Sequence, residues 1–396
     1  MMKQEYNHRF TSIESLRLRA KKKIPRFAFE YLDGGCNEEL NLYKNTAELR
    51  AIELVPTYIK ETSAFSLSTE LFGHTYSAPF GIAPVGLQGL VWPKSAELLA
   101  KASFEHNIPF ILSTVTTCSI ERAAELTEGR AWFQLYHPVD DHLKDSLVER
   151  ASAAGMPVLV VLADVPVFGY RPKEIKNGLA MPPRMELRNV IQILKRPHWA
   201  LRTLIDGQPS FASLRQYMPK RMNIQHLGQF MNRTFDGKLN LNRVGYLRDK
   251  WKKKLVVKGI VNASDVDTCI RLGVDGIIVS NHGGRQLDAG PSSTSSFISL
   301  QKEFGNKITL MFDSGVRSGP DIARSLAIGA QFTFLGRTFM YGVAALGNHG
   351  PDHTISILKT QLLQVMRQLS CESPRDLPSF LEKNIYQTSH LQKEVT

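Results

Sequence analysis

The chain has 396 residues, of which 43% are hydrophobic and 22% charged, and its formal net charge is +12. These proportions are typical of a globular protein with a large core, and the charge indicates acidic partners: nucleic acid, an anionic lipid surface, a phosphate cofactor or an acidic substrate. Four widely spaced cysteines argue against a disulfide framework and a zinc site. The absence of an apolar leader argues against secretion, and the absence of a run of about 18 apolar residues argues against a membrane span.

Residues 1–50 have a helical pattern, and we interpret them as a lid over one end of the fold. Eight short apolar runs follow, and several are apolar on both alternations, as expected of parallel strands that are covered on both faces. These predicted strands are 78–85, 109–115, 131–136, 157–165, 254–260, 274–280, 308–313 and 331–336.

Amphipathic stretches between the strands predict helices at 94–106, 119–128, 141–154, 263–272 and 319–328. Ser119 and Asp141 are the expected caps of two of them. Eight β–α units indicate an α/β fold of the (β/α)8 TIM barrel type, occupying residues 75–375. A doubly wound sheet is the structural alternative, but the count of eight and the polar residues at the strand ends favour the barrel.

A long insertion, about residues 172–250, interrupts the repeat after the fourth strand. Its part from 184 to 221 has eight basic residues against two acidic ones, a net charge of +6. Apolar residues and Trp199 are interleaved with these charges. Such a segment suits an anionic membrane surface, although it could also be an ordinary excursion packed on its own barrel. The basic residues are Arg184, Arg188, Lys195, Arg196, Arg202, Arg215, Lys220 and Arg221.

A histidine and an arginine stand three residues apart in the loop that follows the sixth strand, in the run Ser280-Asn281-His282-Gly283-Gly284-Arg285-Gln286-Leu287-Asp288. Histidine exchanges protons near neutral pH, and arginine holds a carboxylate with two parallel hydrogen bonds. Together they predict proton chemistry on a small acid.

The active site of a barrel lies at the carboxyl ends of its strands, where this chain gathers polar residues without an obvious set of metal ligands. Glycine and arginine follow strands seven and eight, in Asp313-Ser314-Gly315-Val316-Arg317 and Gly336-Arg337. Barrels commonly bind phosphate there, so a phosphate-bearing cofactor is expected.

The run from Ser280 to Asp288 resembles the active-site signature of the FMN-dependent L-2-hydroxy-acid oxidase/dehydrogenase family, which includes bacterial L-lactate dehydrogenase and membrane-associated (S)-mandelate dehydrogenase. The resemblance covers roughly residues 10–375, and we expect residues 1–396 to form a single domain. Further matches are Phe29-Glu30-Tyr31-Leu32-Asp33-Gly34-Gly35, Ile82-Ala83-Pro84-Val85-Gly86, Trp132-Phe133-Gln134-Leu135-Tyr136, Gly169-Tyr170-Arg171 and Val257-Lys258-Gly259.

The resemblance implies roles in catalysis and substrate binding. His282 would be the base, taking a proton from either the α-carbon or the hydroxyl of the substrate, so a carbanion route and a hydride route both stay open. Asp164 would orient the imidazole, and Tyr136 would bond the reacting oxygen. The substrate carboxylate would be bound by Arg171, Arg285 and Tyr31.

The resemblance also implies FMN as the cofactor. Lys258 would lie near the N1 end of the flavin, Ser113 and Gln134 at its edge, and the backbone of Pro84, Val85 and Gly86 near N5. Its phosphate would be bound after strands seven and eight. The remaining members of the cofactor set are Ser280, Asp313, Gly315, Arg317, Gly336 and Arg337.

Departures from the family bear on the acceptor and the substrate. Gly86 replaces an alanine typical of oxidases, which favours a dehydrogenase that uses a quinone or cytochrome. Val115 and Leu162 replace a bulky aromatic residue and a threonine, and they suggest a roomier pocket.

The expected activity is the oxidation of an L-2-hydroxy acid, with L-lactate favoured, to the 2-oxo acid. The alternatives are (S)-mandelate dehydrogenase, an oxidase that releases hydrogen peroxide, a flavin-dependent isomerase and a basic nucleic-acid-binding protein. Clustering of the charge in one amphipathic insertion argues against nucleic acid. We expect a homo-oligomer, a tetramer by family resemblance, located in the cytoplasm or peripherally on the cytoplasmic side of the inner membrane.

Overall fold

The strands fall into two groups, a short antiparallel hairpin and a ring of parallel strands. The computed structural model describes residues 8–179, 186–206, 211–218, 234–235 and 239–382. The hairpin consists of β1 (Thr69–Leu71) and β2 (His74–Tyr76), and each parallel strand coincides with one of the eight predicted runs. The parallel strands are β3 (Phe80–Ile82), β4 (Ile111–Ser113), β5 (Trp132–Leu135), β6 (Val158–Leu162), β7 (Lys254–Ile260), β8 (Gly276–Val279), β9 (Thr309–Asp313) and β10 (Phe332–Leu335).

The parallel strands close into a barrel. Their order in the sheet is β3-β10-β9-β8-β7-β6-β5-β4, and a parallel bridge between Ile82 and Phe110 joins the two edges. The amide of Ile82 donates to the carbonyl of Pro109 at 2.8 Å across this seam. The prediction of a (β/α)8 barrel is therefore confirmed, and the doubly wound sheet is wrong.

The hairpin closes the amino-terminal end of the barrel, a feature that was not predicted. Phe72 and Gly73 form its turn with φ of 53° and 80°, the positive values that a tight hairpin turn requires. The ring of Phe72 contacts Trp132, and Tyr76 packs edge-on against Phe332. Large side chains thus fill this end of the barrel, and ligands must enter from the other end.

Helices surround the barrel, and the five predicted ones are confirmed within two residues at each end. Ser119 caps its helix as predicted, accepting from the amide of Arg122. The cap assigned to Asp141 is wrong, because the neighbouring Asp140 accepts from the amide of His142 instead. The helices are α1 (Ile13–Lys23), α2 (Arg26–Asp33), α3 (Leu40–Arg50), α4 (Gln88–Val91), α5 (Ser95–Glu105), α6 (Ile120–Thr127), α7 (Asp141–Ala153), α8 (Pro172–Lys176), α9 (Leu187–Leu194), α10 (Pro197–Asp206), α11 (Leu241–Lys250), α12 (Ala263–Arg271), α13 (Ser293–Phe304), α14 (Gly319–Ala327), α15 (Arg337–Leu346) and α16 (Gly350–Leu369).

The amino-terminal helices lie in different places on the barrel. Helix α1 packs along α15 on the outside, and α3 packs on α13 and α14. Helix α2 lies at the carboxyl ends of the strands, where Phe27, Tyr31 and Leu32 form part of a cavity wall. An ion pair between Arg17 and Asp33, at 2.7 Å, connects α1 to the end of α2.

The insertion contributes α8 to α11 and a short 3₁₀ helix, Ala212–Tyr217. Helices α9 and α10 expose many apolar side chains, namely Leu187, Val190, Ile191, Leu194, Leu201, Leu204 and Ile205. Trp199 departs from the predicted surface role: it is only 4% exposed, and its indole donates to the carbonyl of Val91. Of the eight predicted basic residues, Arg184, Lys220 and Arg221 lie outside the described residues.

Two structural features concern the membrane and metal predictions. Among the helices that the structure describes, none is both long enough and apolar enough to cross a membrane. Over the same described ranges, no group of three His, Cys, Asp or Glu side chains is placed to hold a metal ion.

Candidate active site

A cavity of about 790 Å³ opens at the carboxyl ends of the strands, and most of the predicted site residues lie on its wall. The exceptions are Ser113, Asp164 and Ser280, which lie behind the wall. Val115 and Leu162 are the two pocket residues that depart from the family pattern. Val115 lies on the wall of the cavity, whereas Leu162 does not. The predicted residues on the wall are Tyr31, Pro84, Val85, Gly86, Gln134, Tyr136, Arg171, Lys258, His282, Arg285, Asp313, Gly315, Arg317, Gly336 and Arg337.

His282 stands in a strained loop after β8. Its φ is 59°, and Gly283 and Gly284 follow at 65° and 72°, so three consecutive residues adopt the left-handed conformation. A Cβ on Gly284 would lie 2.5 Å from the amide nitrogen of Leu42 in α3, so only glycine fits there. Left-handed backbone at a non-glycine residue is costly and concentrates at functional sites.

His282 and Asp164 form a partly buried pair, with 2.9 Å between Nδ1 and the carboxylate Oδ1. Burial lowers the pKa of His282, and the negative charge of Asp164 opposes this shift only in part. Burial raises the pKa of Asp164, but the charges of His282 and Lys258 outweigh it and the net pKa is lowered. The pair is thus best described as a neutral imidazole beside a carboxylate, with Nε2 left for the cavity.

Two partly buried arginines share one carboxylate that sequence reasoning missed. Glu174 Oε1 lies 2.6 Å from Nη2 of Arg285 and 3.4 Å from Nη1 of Arg171. Arg171 also donates to the carbonyl of Arg285 and to the side chain of Gln286. Burial lowers the pKa of Arg171, and the neighbouring charge of Arg285 lowers it further. Glu174 partly offsets the repulsion between the two guanidinium groups.

The arginine cluster is connected to α2 and to β3. Arg285 donates to the carbonyls of Tyr31 and Gly34 at 2.7 and 2.9 Å. The hydroxyl of Tyr31 donates to the carbonyl of Gly86 at 3.2 Å. Tyr136 lies partly buried on the same wall, and desolvation raises its pKa, so its hydroxyl stays protonated and can donate.

Lys258 occupies the centre of the barrel mouth. Its Nζ lies 3.0 Å from the carboxylate of Asp313 and 2.7 Å from the hydroxyl of Ser280, which also accepts from the amide of His282. Burial lowers the pKa of Lys258, but the charges of Asp313 and Asp164 outweigh it and the net pKa is raised. The ammonium group therefore stays charged.

The wall beside β9 and β10 fits a phosphate. Arg337 donates to the carbonyls of Leu32, Gly283 and Gly34, and within the described ranges no carboxylate forms an ion pair with it. Burial lowers its pKa to about 9, and the charges of Arg285 and Arg317 contribute. Partial burial of a cation without a carboxylate partner costs free energy, which an anion at this point would recover.

Two further polar features of the cavity wall bear on ligand binding: Gln134, which was predicted, and Ser314, which was not assigned a role. The amide Nε2 of Gln134 is buried without a hydrogen-bond partner in the described structure, so it suits a ligand carbonyl in the cavity. Ser314 has φ of 85°, donates to Asp313 at 2.7 Å and accepts from Gly283 at 3.0 Å.

Glu174 could have been found from sequence, because Pro172 marks a helix start and places Glu174 one turn from Arg171.

Comparison with known proteins defines the class. A family model described as FMN-dependent dehydrogenase matches residues 20–383. The chain therefore belongs to the FMN-dependent dehydrogenase family, which acts on 2-hydroxy acids, and the resemblance found in the sequence is confirmed. FMN is the cofactor of this family, and the arginines, Lys258 and Gln134 fit its phosphate and its ring.

Particular relatives cover nearly the whole chain. An L-lactate dehydrogenase of Vibrio parahaemolyticus is 35% identical over 362 residues, 91% of this chain and 95% of the relative. An (S)-mandelate dehydrogenase of Pseudomonas putida is 34% identical over 372 residues, 94% and 93% of the two chains. The crystal structure of the monotopic membrane protein (S)-mandelate dehydrogenase matches with a TM-score of 0.88 and 34% identity, over 94% of this chain and 98% of that one.

Proposed function

We propose that this enzyme oxidises an L-2-hydroxy acid, with L-lactate favoured, and that a membrane quinone receives the electrons. The observation that carries the proposal is the His282–Asp164 pair, which shares one cavity with two carboxylate-binding arginines. The hydroxy acid loses two electrons and two protons to become the 2-oxo acid, and the quinone gains them to become the quinol.

The substrate carboxylate binds between Arg171 and Arg285. A planar guanidinium group binds a carboxylate with paired hydrogen bonds, and here two of them lie partly buried around one carboxylate. Tyr31 and Tyr136 lie on the same wall and provide hydroxyl groups, Tyr136 for the oxygen that becomes the carbonyl. These contacts fix which face of the α-carbon is presented, and they favour one enantiomer.

His282 removes a proton through Nε2, because Nδ1 is engaged by Asp164. The carboxylate then stabilises the imidazolium that forms, as in other base–orienter pairs. Bound FMN supplies a two-electron acceptor. In this proposal Lys258 with Ser280 and Asp313, Gln134, Ser113 and the backbone of Pro84 to Gly86 hold its ring. Its phosphate is bound by Gly315, Arg317, Gly336 and Arg337.

The first test is anaerobic bleaching of the flavin in purified holoenzyme. L-lactate is expected to bleach it fastest, D-lactate should leave it oxidised, and (S)-mandelate and longer L-2-hydroxy acids complete the panel. Faster bleaching by (S)-mandelate would support the alternative substrate. Absence of bleaching by every acid would refute the proposed function.

The second test concerns the acceptor. The crystal structure of a mandelate oxidase matches with a TM-score of 0.81 and 26% identity, covering 94% of this chain and 98% of that one, so oxygen is the rival acceptor. We expect turnover with a quinone analogue under argon and little hydrogen peroxide in air. Equal turnover with oxygen and with the quinone would favour the oxidase.

The apolar helices α9 and α10 support a peripheral membrane location. Their leucines point outward beside Lys195 and Arg202, and Arg196 bonds the carbonyl of Ile24 next to the basic end of α1. Apolar side chains flanked by cations match a lipid interface with anionic head groups. We propose that this surface binds the cytoplasmic side of the inner membrane. We also propose that the enzyme is a homotetramer.

A further inference from the structure

The cavity extends beyond the part that the substrate and the flavin account for. Its wall also includes apolar residues of α4, α9 and α10 and the residue just before the 3₁₀ helix, which lie outward from the strand ends. We name this part the outer chamber and define it by Leu90, Ile193, Trp199, Ala200, Thr203 and Phe211. None of the six carries a charge, and none was among the predicted site residues.

One side of the outer chamber is a fixed aromatic surface. Trp199 is held by its bond to the carbonyl of Val91 at 3.1 Å, and its ring meets Phe27 edge-on, with 5.8 Å between the centroids. Phe211 is also buried. Flat apolar walls of this kind accept a planar ligand by packing.

The outer chamber also contains one polar group without a partner. The hydroxyl of Thr203 is buried and has no hydrogen-bond partner in the described structure. A buried hydroxyl in an apolar wall costs free energy unless an acceptor reaches it. A ligand with a carbonyl group on a flat apolar ring would supply that acceptor.

The outer chamber opens onto the apolar face of α9 and α10. Leu204 lies on the cavity wall and yet is 81% exposed, so it marks the opening. Leu194 and Leu201 beside it are 73% and 58% exposed, and Lys195 and Arg202 are their cationic neighbours. A ligand dissolved in lipid would therefore enter without crossing water.

We propose that the outer chamber binds the ring of an isoprenoid quinone, with Thr203 donating to one carbonyl and the tail leaving past Leu204. The inference rests on the proposed function, of which it locates the acceptor. It also limits the acceptor class, because a folded cytochrome is too large to enter. The rival occupant is the apolar chain of a long 2-hydroxy acid.

The test compares Ala200→Phe, which fills the outer chamber, with Leu201→Phe, its exposed neighbour on α10. The flavin of the holoenzyme is photoreduced under argon with EDTA as the electron donor, so that no hydroxy acid is needed, and it is then mixed with a short-chain ubiquinone. We expect reoxidation to slow about tenfold or more in Ala200→Phe and to change less than about twofold in Leu201→Phe.

A binding measurement supplies a readout apart from turnover. Quinones quench tryptophan fluorescence, so titration of the oxidised holoenzyme with the same ubiquinone gives a Kd. Thr203→Val should weaken binding about fivefold and Thr203→Ser should retain it. Flavin absorbance and melting temperature of each variant confirm that it is folded.

The outcomes separate this proposal from the proposed function. Unchanged reoxidation in Ala200→Phe would overturn the outer chamber as the quinone site. Slower bleaching by hydroxy acids with normal reoxidation would also overturn it and assign the chamber to the substrate chain. If no hydroxy acid bleaches the wild-type flavin but Ala200→Phe still impairs reoxidation by quinone, the chamber stands and the proposed substrate class fails.

Discussion

At His282, opposing influences set the protonation state of the proposed base. Burial and the charges of Lys258 and Arg171 lower the pKa, whereas Asp164 raises it. The net shift is downward from the ordinary value of 6.5, so the imidazole stays neutral, and able to accept a proton, at neutral pH. The acid limb of kcat/KM should therefore lie below the usual histidine range.

Asp164→Asn tests this balance. Removing the carboxylate removes the influence that raises the pKa of His282, so the acid limb should move to lower pH while the plateau rate falls. Anaerobic flavin reduction measured across pH reports both. Movement of the limb to higher pH would contradict the assignment of Asp164 as the partner of the base.

His282→Gln tests the base itself. Without a group that accepts the proton, flavin reduction by L-lactate should fall about a thousandfold, while FMN stays bound because the phosphate site is unchanged. Stopped-flow absorbance measures the rate, and the yellow colour of the purified variant reports the cofactor. Retained activity would remove His282 from its proposed role.

Glu174 makes a separate prediction, because its carboxylate competes with the substrate for Arg171 and Arg285. Glu174→Gln keeps an oxygen for Arg285 but removes the charge, so a 2-oxo acid should bind about fivefold tighter, a gain of roughly 1 kcal/mol. Flavin difference spectra give the Kd. Glu174→Asp, which keeps the charge, is the control. Weaker binding of the 2-oxo acid in Glu174→Gln would show that Glu174 mainly positions the arginines.

Among the elements, the barrel strands were predictable and the pieces between them less so. Strands such as β6 are short apolar runs buried on both faces, so their signal does not depend on tertiary context. The hairpin was missed because Phe72 adopts a positive φ that its residue type does not suggest. Trp199 was assigned to the surface because composition does not specify which face of α10 packs inward.

The candidate site was predictable to a similar extent. Residues at strand ends, such as Lys258 and Asp313, must meet in a closed barrel, and the structure brings them within 3.0 Å. Glu174 lies on a short helix of the insertion, and its contact with Arg285 spans 111 positions along the chain. Local helix spacing predicts the contact of Glu174 with Arg171, but no local pattern specifies the contact with Arg285.

The hairpin offers a test at the level of elements. Leu71 is buried with the large side chains of the barrel interior, whereas the preceding residue, Glu70, is exposed. Leu71→Ala should lower the free energy of unfolding by about 3 kcal/mol, and Glu70→Ala by less than about 1 kcal/mol. Denaturant titration measures both, and equal losses would mean that the hairpin is not a structural plug. Flavin reduction should stay normal in each, because the hairpin lies at the opposite end from the cavity.

For the whole molecule, the apolar face of α9 and α10 predicts how the enzyme partitions between water and lipid. The double variant Leu194→Ser/Leu201→Ser should bind phosphatidylglycerol vesicles at least about tenfold less tightly than wild type. Vesicle sedimentation measures this, and added salt should weaken the wild type because cations flank the leucines. Leu241→Ser, an exposed leucine on α11, is the control. An equal loss in the control would refute a specific membrane face.

The site joins segments that are far apart along the chain, and this bears on how the enzyme matures in the cell. Arg337 bonds carbonyls of Leu32 and Gly34, more than 300 positions earlier, and Arg285 bonds the carbonyl of Tyr31 across 254. A ribosome adds roughly 5–20 residues per second, so α2 waits on the order of half a minute for these partners. Cofactor loading must therefore follow synthesis of nearly the entire polypeptide, and truncated nascent chains should emerge colourless.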